Sequence, residues 1–277
     1  MLVATLLALG SALLHAAWNL LVKTAGDRGL AAWGQFAAGG LLALPVLAIV
    51  GWPDAPAYPF LIASALVHVA YVTGLAAAYT HGDFSLAYPL ARGGGALLAA
   101  LGGALLLGDV LGLGQWVAIA VVGGGLLSLV GKGATRASVA WALFTAATIA
   151  TYTLIDAEGA RSSTSAVSYG FALMVFAGAA ITVANVVRGR TPDLVAVARA
   201  QCGRWVVGGA AIAVAYTMVL VAITMAPVGY VTMLRESSVV LGALAGWLFL
   251  HERMGRHRVV SSCVIAAGLV LLIALSA

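Results

Sequence analysis

Charge is what this sequence has least of: Asp, Glu, Lys and Arg together make up 8% of its 277 residues. Soluble domains carry about 25%, so a fold that faces water on all sides is excluded. Cysteine is nearly absent as well. Cys202 and Cys263 are the two present and have no metal-ligand spacing, which excludes a disulfide framework and a cysteine zinc site. No H-E-x-x-H motif or paired set of acids occurs, and the connections are too short to hold a catalytic constellation. The chain is therefore read as no enzyme, with no cofactor and no metal. The net charge is +5, but the bases are dispersed among short loops, which argues against nucleic acid as a partner.

What fills the chain is apolar: 63% hydrophobic residues and a mean hydropathy of +1.07. The medium it folds in is lipid. Runs such as "LLALPVLAIV" do not alternate as barrel strands do, so the spans are helices. Turn residues and charges divide the sequence into ten segments, at 2–23, 30–50, 58–80, 84–107, 113–131, 137–156, 165–187, 204–225, 229–250 and 257–276. Each is near the ~20 residues that cross a bilayer. The first, which lacks a basic leader region, is read as a helix rather than a signal peptide. The connection from Arg188 to Arg204 predicts a short basic interfacial helix, with Thr191 as cap, Pro192 in the first turn and Asp193 complementing the dipole; the alternative is a lengthened start to the eighth helix. Trp33, Trp52, Trp116, Trp141, Trp205 and Trp247 fall near segment ends and are assigned to the interfacial aromatic belt.

Lys23, Arg28, Lys132, Arg136, Arg188, Arg190, Arg199, Arg204, Arg253, Arg256 and Arg258 fall on one side of a ten-helix chain, and Arg161 on the other. The positive-inside rule then places both termini outside the cytoplasm, in what is expected to be a bacterial inner membrane.

The chain also matches itself. Residues 78–127 overlay 221–270 without a gap, so that Arg92 falls on Arg235, Gly103 on Gly246, Asp109 on Glu252 and Gly112 on Gly255. Two five-helix halves follow, 1–132 and 137–277. An odd number of helices per half makes the second enter the membrane from the opposite side. The expected fold is all-α, with ten transmembrane helices in two inverted five-helix repeats forming one membrane domain. Secondary transporters use such repeats to build a midplane site that opens to either side.

"LLHAAWNLLVKTAG", "AYPLARGGGALLAALGGALLLGD" and "LRESSVVLGALAGWLFLHER" resemble the EamA-type ten-helix transporters of the drug/metabolite transporter superfamily. The resemblance spans both halves. It implies a carrier of amino acids and other small metabolites, often outward; related members move sugar phosphates and nucleotide sugars. Small four-helix relatives couple to protons through a glutamate in helix 1. This helix 1 carries His15, Trp18 and Asn19 and no acid, so that mechanism does not transfer. Helix 9 has Thr232 where helix 4 has Pro89.

Arg92 lies roughly 12 Å into helix 4, near mid-membrane, where an arginine costs about 2.5–3.5 kcal/mol to insert. Pro89 weakens the backbone ladder just before it, and Gly93 and Gly94 just after it allow close approach, so these three are the expected hinge. Two roles stay open for Arg92 and Arg235: an ion pair with Glu236 that stitches helices 4 and 9, or a guanidinium site for a carboxylate or phosphate. Glu236 is a counter-ion or a proton-accepting site. His15, Trp18 and Asn19 share a face of helix 1, and His68, Tyr71 and Tyr79 a face of helix 3. With Tyr88 and Tyr152 they would line a polar cavity with aromatic walls, or serve as hydrogen-bonding glue between helices. Asp156 and Glu158 fall at the end of the sixth segment and are expected to be solvated.

The function these features support is secondary transport of a small organic metabolite, an amino acid or an organic anion, by alternating access and in the outward direction. Protons are a candidate coupling ion, and membrane lipid is the surrounding partner. The alternatives are a flippase for a phosphate-bearing lipid-linked molecule and a glycine-packed structural protein.

Overall fold

The computed structural model describes residues 1–81, 84–128, 135–241 and 256–276, and among them the only regular structure is helical. The helices are α1 (Leu2–Lys23), α2 (Arg28–Val50), α3 (Tyr58–His81), α4 (Phe84–Leu106), α5 (Leu113–Ser128), α6 (Arg136–Ser162), α7 (Ala166–Val187), α8 (Thr191–Ile223), α9 (Val228–Arg235) and α10 (Arg256–Ala274), with a 3-10 turn at Ala55–Ala57 before α3. Six of them, α1, α2, α3, α6, α7 and α8, are long and apolar enough to cross a membrane, while Leu90–Leu106 of α4, most of α10 and all of α5 form shorter apolar helices. Their outward faces carry exposed Leu, Ile and Val, such as Ile49, Leu105 and Leu113. Helices apolar all round suit a lipid surround.

Short polar side chains start three of the helices. Asp27 accepts from the Leu30 amide at 2.9 Å, Thr135 from Ser138 at 3.1 Å and Ser165 from Ser168 at 3.1 Å, each satisfying an amide with no intrahelical partner. The expected ends need two corrections. α6 does not stop at residue 156 but continues to Ser162, because Asp156 finds partners inside the protein. The interfacial helix is not separate: it is continuous with α8 across a bend at Gln201 (φ −130°, ψ 16°). Thr191 is its first helical residue rather than its cap, with Pro192 and Asp193 in the first turn as expected.

α9 stops early. Glu236 forms a turn, its amide bonding to the Met233 carbonyl while its own carbonyl accepts from Val239, and residues 237–241 resume the helix. α4 runs without such a break from Phe84 through Pro89 to Leu106.

Helix neighbours follow one pattern. α1 packs on α8 as α3 packs on α6, α2 packs on α8 as α3 packs on α7, and α4 packs on α6 as α9 packs on α1. The remaining main pairs are α2 with α7, α4 with α9, α5 with α10 and the consecutive helices α7 and α8. Adding or subtracting five interchanges the first six pairs two by two and returns α2–α7, α4–α9 and α5–α10 to themselves. Glycine makes the tightest of the contacts: a Cβ on Gly209 of α8 would lie 2.5 Å from the Gly39 amide of α2. At one membrane face Asp109 joins three elements, bonded to Arg161 at the end of α6 (2.8 Å) and to the Val228 amide that opens α9 (2.6 Å). Arg161 Nε also donates to the Ile223 carbonyl at the end of α8.

Two tryptophans assigned to the aromatic belt are in the core instead. Trp33 and Trp205 are buried and meet edge to face at 5.2 Å, because Gly34 leaves room for the Trp205 ring and Thr182 accepts from the Trp33 indole. Trp52 is exposed as expected, and Trp247 lies outside the described residues.

Candidate functional site

Arg92 sits in α4 where glycines let the helix press on its neighbours. A Cβ on Gly93 would lie 2.8 Å from Leu126 of α5, and one on Gly95 2.7 Å from Ile149 of α6. A Cβ on Gly94 would reach only Ala146, at 3.2 Å. The Arg92 guanidinium, thus fixed in depth, donates to Glu236 Oε1 at 2.6 Å. Both side chains are almost fully buried, at 5% and 3% exposure. The break in α9 is what carries Glu236 to this position, one residue beyond Arg235. The second oxygen, Oε2, accepts from no described group.

Arg235 is equally buried but differently held. Its Nη2 faces His15 Nδ1 at 3.2 Å, and its Cζ lies 5.4 Å above the Tyr216 ring. The Trp18 indole donates to the same His15 nitrogen, also at 3.2 Å. Guanidinium and indole N–H groups can only donate, so the network assigns His15 Nδ1 as an unprotonated acceptor and the ring as neutral, with its proton on Nε2. A neutral imidazole is no counter-ion. Among the described residues no carboxylate pairs with Arg235, and its Nε has no partner. Two buried arginines of matching sequence context therefore differ: one is neutralised, the other rests on an aromatic face and a neutral ring.

Helix 1 delivers part of the expected face. His15 and Trp18 are together and buried, whereas the Asn19 amide turns back to the His15 carbonyl at 2.8 Å and is half-buried. On α3, His68 is anchored by the Ser64 carbonyl (2.9 Å) and hydroxyl (3.2 Å). Its ring stacks on Tyr152 of α6 at 4.2 Å, with Tyr71 and Tyr216 edge-on to both. The side chains of Tyr79, Tyr88 and Pro89 lie outside the described residues.

Asp156 overturns an expectation. Rather than being solvated, it is fully buried and accepts from the Tyr169 hydroxyl at 3.0 Å and the Tyr216 hydroxyl at 2.7 Å. The physical reason is local. Gly159, one turn on, gives the Tyr169 ring room to lie on α6, and α8 brings Tyr216 from the other side. Glu158, the second acid of that stretch, is partly exposed. Sequence reasoning missed Tyr169 and Tyr216 as well as Asp156; the i, i+4 spacing of Tyr152 and Asp156 within an unbroken helix was the available signal. Tyr216 is now the element common to the cluster, with Arg235 over its face and Asp156 on its hydroxyl.

A family model described as the EamA-like transporter family matches residues 136–274, half of the chain, from the first residue of α6 to the last of α10. No curated protein matches the chain. A solved structure described only as "Crystal structure of protein" is similar over 98% of this chain and 96% of its own, with a TM-score of 0.79 and 16% sequence identity. At that identity the likeness speaks for the fold alone. An apolar all-helical architecture, buried arginines between helices and the match across α6–α10 lead to one conclusion: the chain is an integral membrane protein that belongs to the EamA-like transporter family.

Proposed function

We propose that the protein is a secondary transporter for a small organic solute bearing an acidic group, an amino acid or an organic anion, and that this group binds Arg235. The observation that carries the reading is the buried guanidinium of Arg235 with no carboxylate beside it among the described residues. A charge held this way is costly in a medium of low dielectric, and an anion that reaches it offsets that cost. His15 and Trp18 orient the guanidinium from α1. His68, Tyr71 and Tyr152 offer an imidazole and two phenol rings to the remainder of the solute, as expected of small-molecule sites. Arg92 serves at the same site when its bond to Glu236 opens. Asn19 completes the set as a secondary contact.

Movement is by alternating access of two inverted repeats, 1–132 and 137–277. This is supported by helix neighbours that interchange when each number is raised or lowered by five, and by a family match that begins with α6. Pro89, Gly93 and Gly94 are the proposed hinge of α4. Transport is outward, across a bacterial inner membrane, with both termini on the non-cytoplasmic side. In support, Arg188, Arg190 and Arg204 share one face, bonded to Thr73, Asp27 and Thr24.

The test is flux from proteoliposomes loaded in turn with amino acids, phosphonates, sugar phosphates, dicarboxylates and lipophilic cations. Acidic solutes are expected to leave wild-type vesicles, and Arg235→Gln to slow them about 10- to 100-fold, the loss of a charge-assisted contact of about 1.5–3 kcal/mol. Flux of cations alone, or equal flux through folded Arg235→Gln, would overturn the reading.

A further inference from the structure

Asp156 has no part in the binding just described, yet it is the second ionisable carboxyl at the heart of the bundle. It is fully buried, and among the described residues no Lys, Arg or His lies within ion-pair distance. Two phenols hold it, Tyr169 from α7 and Tyr216 from α8. Ser64 of α3 is its third neighbour, and Tyr152 of α6 is the ring that lies within electrostatic reach both of Asp156 and of Arg92, Arg235 and Glu236, with His68 of α3 stacked on it. A carboxyl of this kind can stay charged only if charge elsewhere in the same low-dielectric volume balances it.

The balance is visible in the cluster. Arg92 and Glu236 cancel each other at 2.6 Å, and His15 is neutral by its hydrogen bonds. What remains in the cluster, among the described residues, is one positive charge on Arg235 and the negative charge of an ionised Asp156. Tyr216 joins them, its ring 5.4 Å below the guanidinium and its hydroxyl 2.7 Å from Asp156 Oδ2. An anion arriving at Arg235 takes up that positive charge and leaves Asp156 as an uncompensated negative one. A proton on the carboxyl restores neutrality.

We propose that Asp156 is the proton-carrying group of the transporter: it is protonated when an acidic solute occupies Arg235, so that one proton travels with each solute anion. This rests on the reading of Arg235 as the anion site. The proton comes from water on the open side and returns to water on the other. The carboxylate becomes a carboxylic acid and reverts, and no other bond is made or broken. Once protonated, Asp156 donates to one phenol oxygen, and that phenol must turn its own proton elsewhere. Tyr216, which lies against Arg235, is the phenol placed to report solute occupancy.

Infrared difference spectroscopy on the full-length protein in lipid tests this, reading the carbonyl stretch of a protonated carboxyl. The probe is methanesulfonate, whose charge does not change near neutral pH. Adding it to wild type at fixed pH is expected to increase the band, and Asp156→Asn to remove the increase. Its apparent affinity for wild type is expected to rise about tenfold per unit fall in pH over the range where one proton is taken up, and for Asp156→Asn to stay level. Independently of any solute, Arg235→Gln removes the same positive charge and is expected to raise the resting band at that pH. If methanesulfonate fails to bind but Arg235→Gln still raises a band that Asp156→Glu moves in frequency, the anion site fails and the proton site stands. A band unmoved by both the probe and Arg235→Gln, or one that persists in Asp156→Asn, overturns the proposal. Should Asp156→Asn not fold, Asp156→Glu makes the same assignment by displacing the band.

Discussion

Arg92 and Arg235 occupy equivalent places in a self-matching sequence, yet the fold treats them in opposite ways. Arg92 is closed off by Glu236 at 2.6 Å, while Arg235 leans on a tyrosine face and an imidazole. The difference comes from the next residue. The first copy has Gly93, which α5 crowds so closely that a Cβ would stand 2.8 Å from Leu126. The second copy has Glu236, at a break in α9 that lets its carboxylate reach across to α4. One acid serves two bases, and it serves the one on the other helix. Matching sequence thus makes an asymmetric pair, with one arginine tied to an acid across two helices and the other without a carboxylate partner among the described residues, the one we propose binds solute.

That contrast can be broken most severely at Glu236. Glu236→Gln takes the carboxylate away from the buried Arg92 guanidinium, and is expected to cost about 3–5 kcal/mol in denaturant or thermal unfolding. Arg235→Gln, measured the same way without solute, is expected to cost far less or to stabilise, since among the described residues no carboxylate is ion-paired with it and Asp156 can take up a proton in its place. Equal losses at the two positions would erase the distinction. Gly93→Ala sharpens it from the other side. The added Cβ must displace Leu126, and a loss of about 1–3 kcal/mol is expected, whereas an unchanged melting temperature would show that α4 has room there.

Smaller effects belong to the membrane faces. Asp109→Asn weakens the contact to Arg161 and the cap on Val228, with about 1 kcal/mol expected in thermal unfolding. Asp54, between α2 and α3, accepts from the Thr164 amide (3.1 Å) and from the Thr164 and Ser163 hydroxyls. These bonds, the Thr164 amide foremost, hold its carboxyl below the ordinary value of 3.8. A depressed folded value means that its stabilisation is present above the unfolded value and is lost as pH falls through the folded one. The small stability difference between wild type and Asp54→Asn is therefore expected near pH 7 and gone in strong acid. A difference that persists there would assign Asp54 another role.

Much of the fold was legible because lipid imposes a simple rule, that spans are long and apolar. The all-helical membrane architecture holds among the described residues, and the Arg92–Glu236 pair was among the two arrangements the sequence allowed. What escaped was polar chemistry settled by neighbours far along the chain. Asp156 beside "EGARSS" has the local look of a helix end, and only Tyr169 and Tyr216, 13 and 60 residues away, make it a buried group. Trp33 and Trp205 looked interfacial by their positions, but Gly34 makes room for the Trp205 ring and Thr182 accepts from the Trp33 indole. The break at Glu236 leaves no Pro or Gly beside it to announce it.

The central claim is that Arg235, rather than Arg92, is the arginine open to solute in this conformation, and solute-dependent thermal stability tests it most directly. Purified wild type, Arg235→Gln and the double variant Arg92→Gln/Glu236→Gln would each be warmed with the same acidic solutes. A site at a hundredfold excess over Kd adds about 2.7 kcal/mol of stability. The expected result is a shift in wild type and in the charge-neutral double variant, and none in Arg235→Gln. A shift retained in Arg235→Gln and lost in the double variant would contradict it, and would move the site to Arg92.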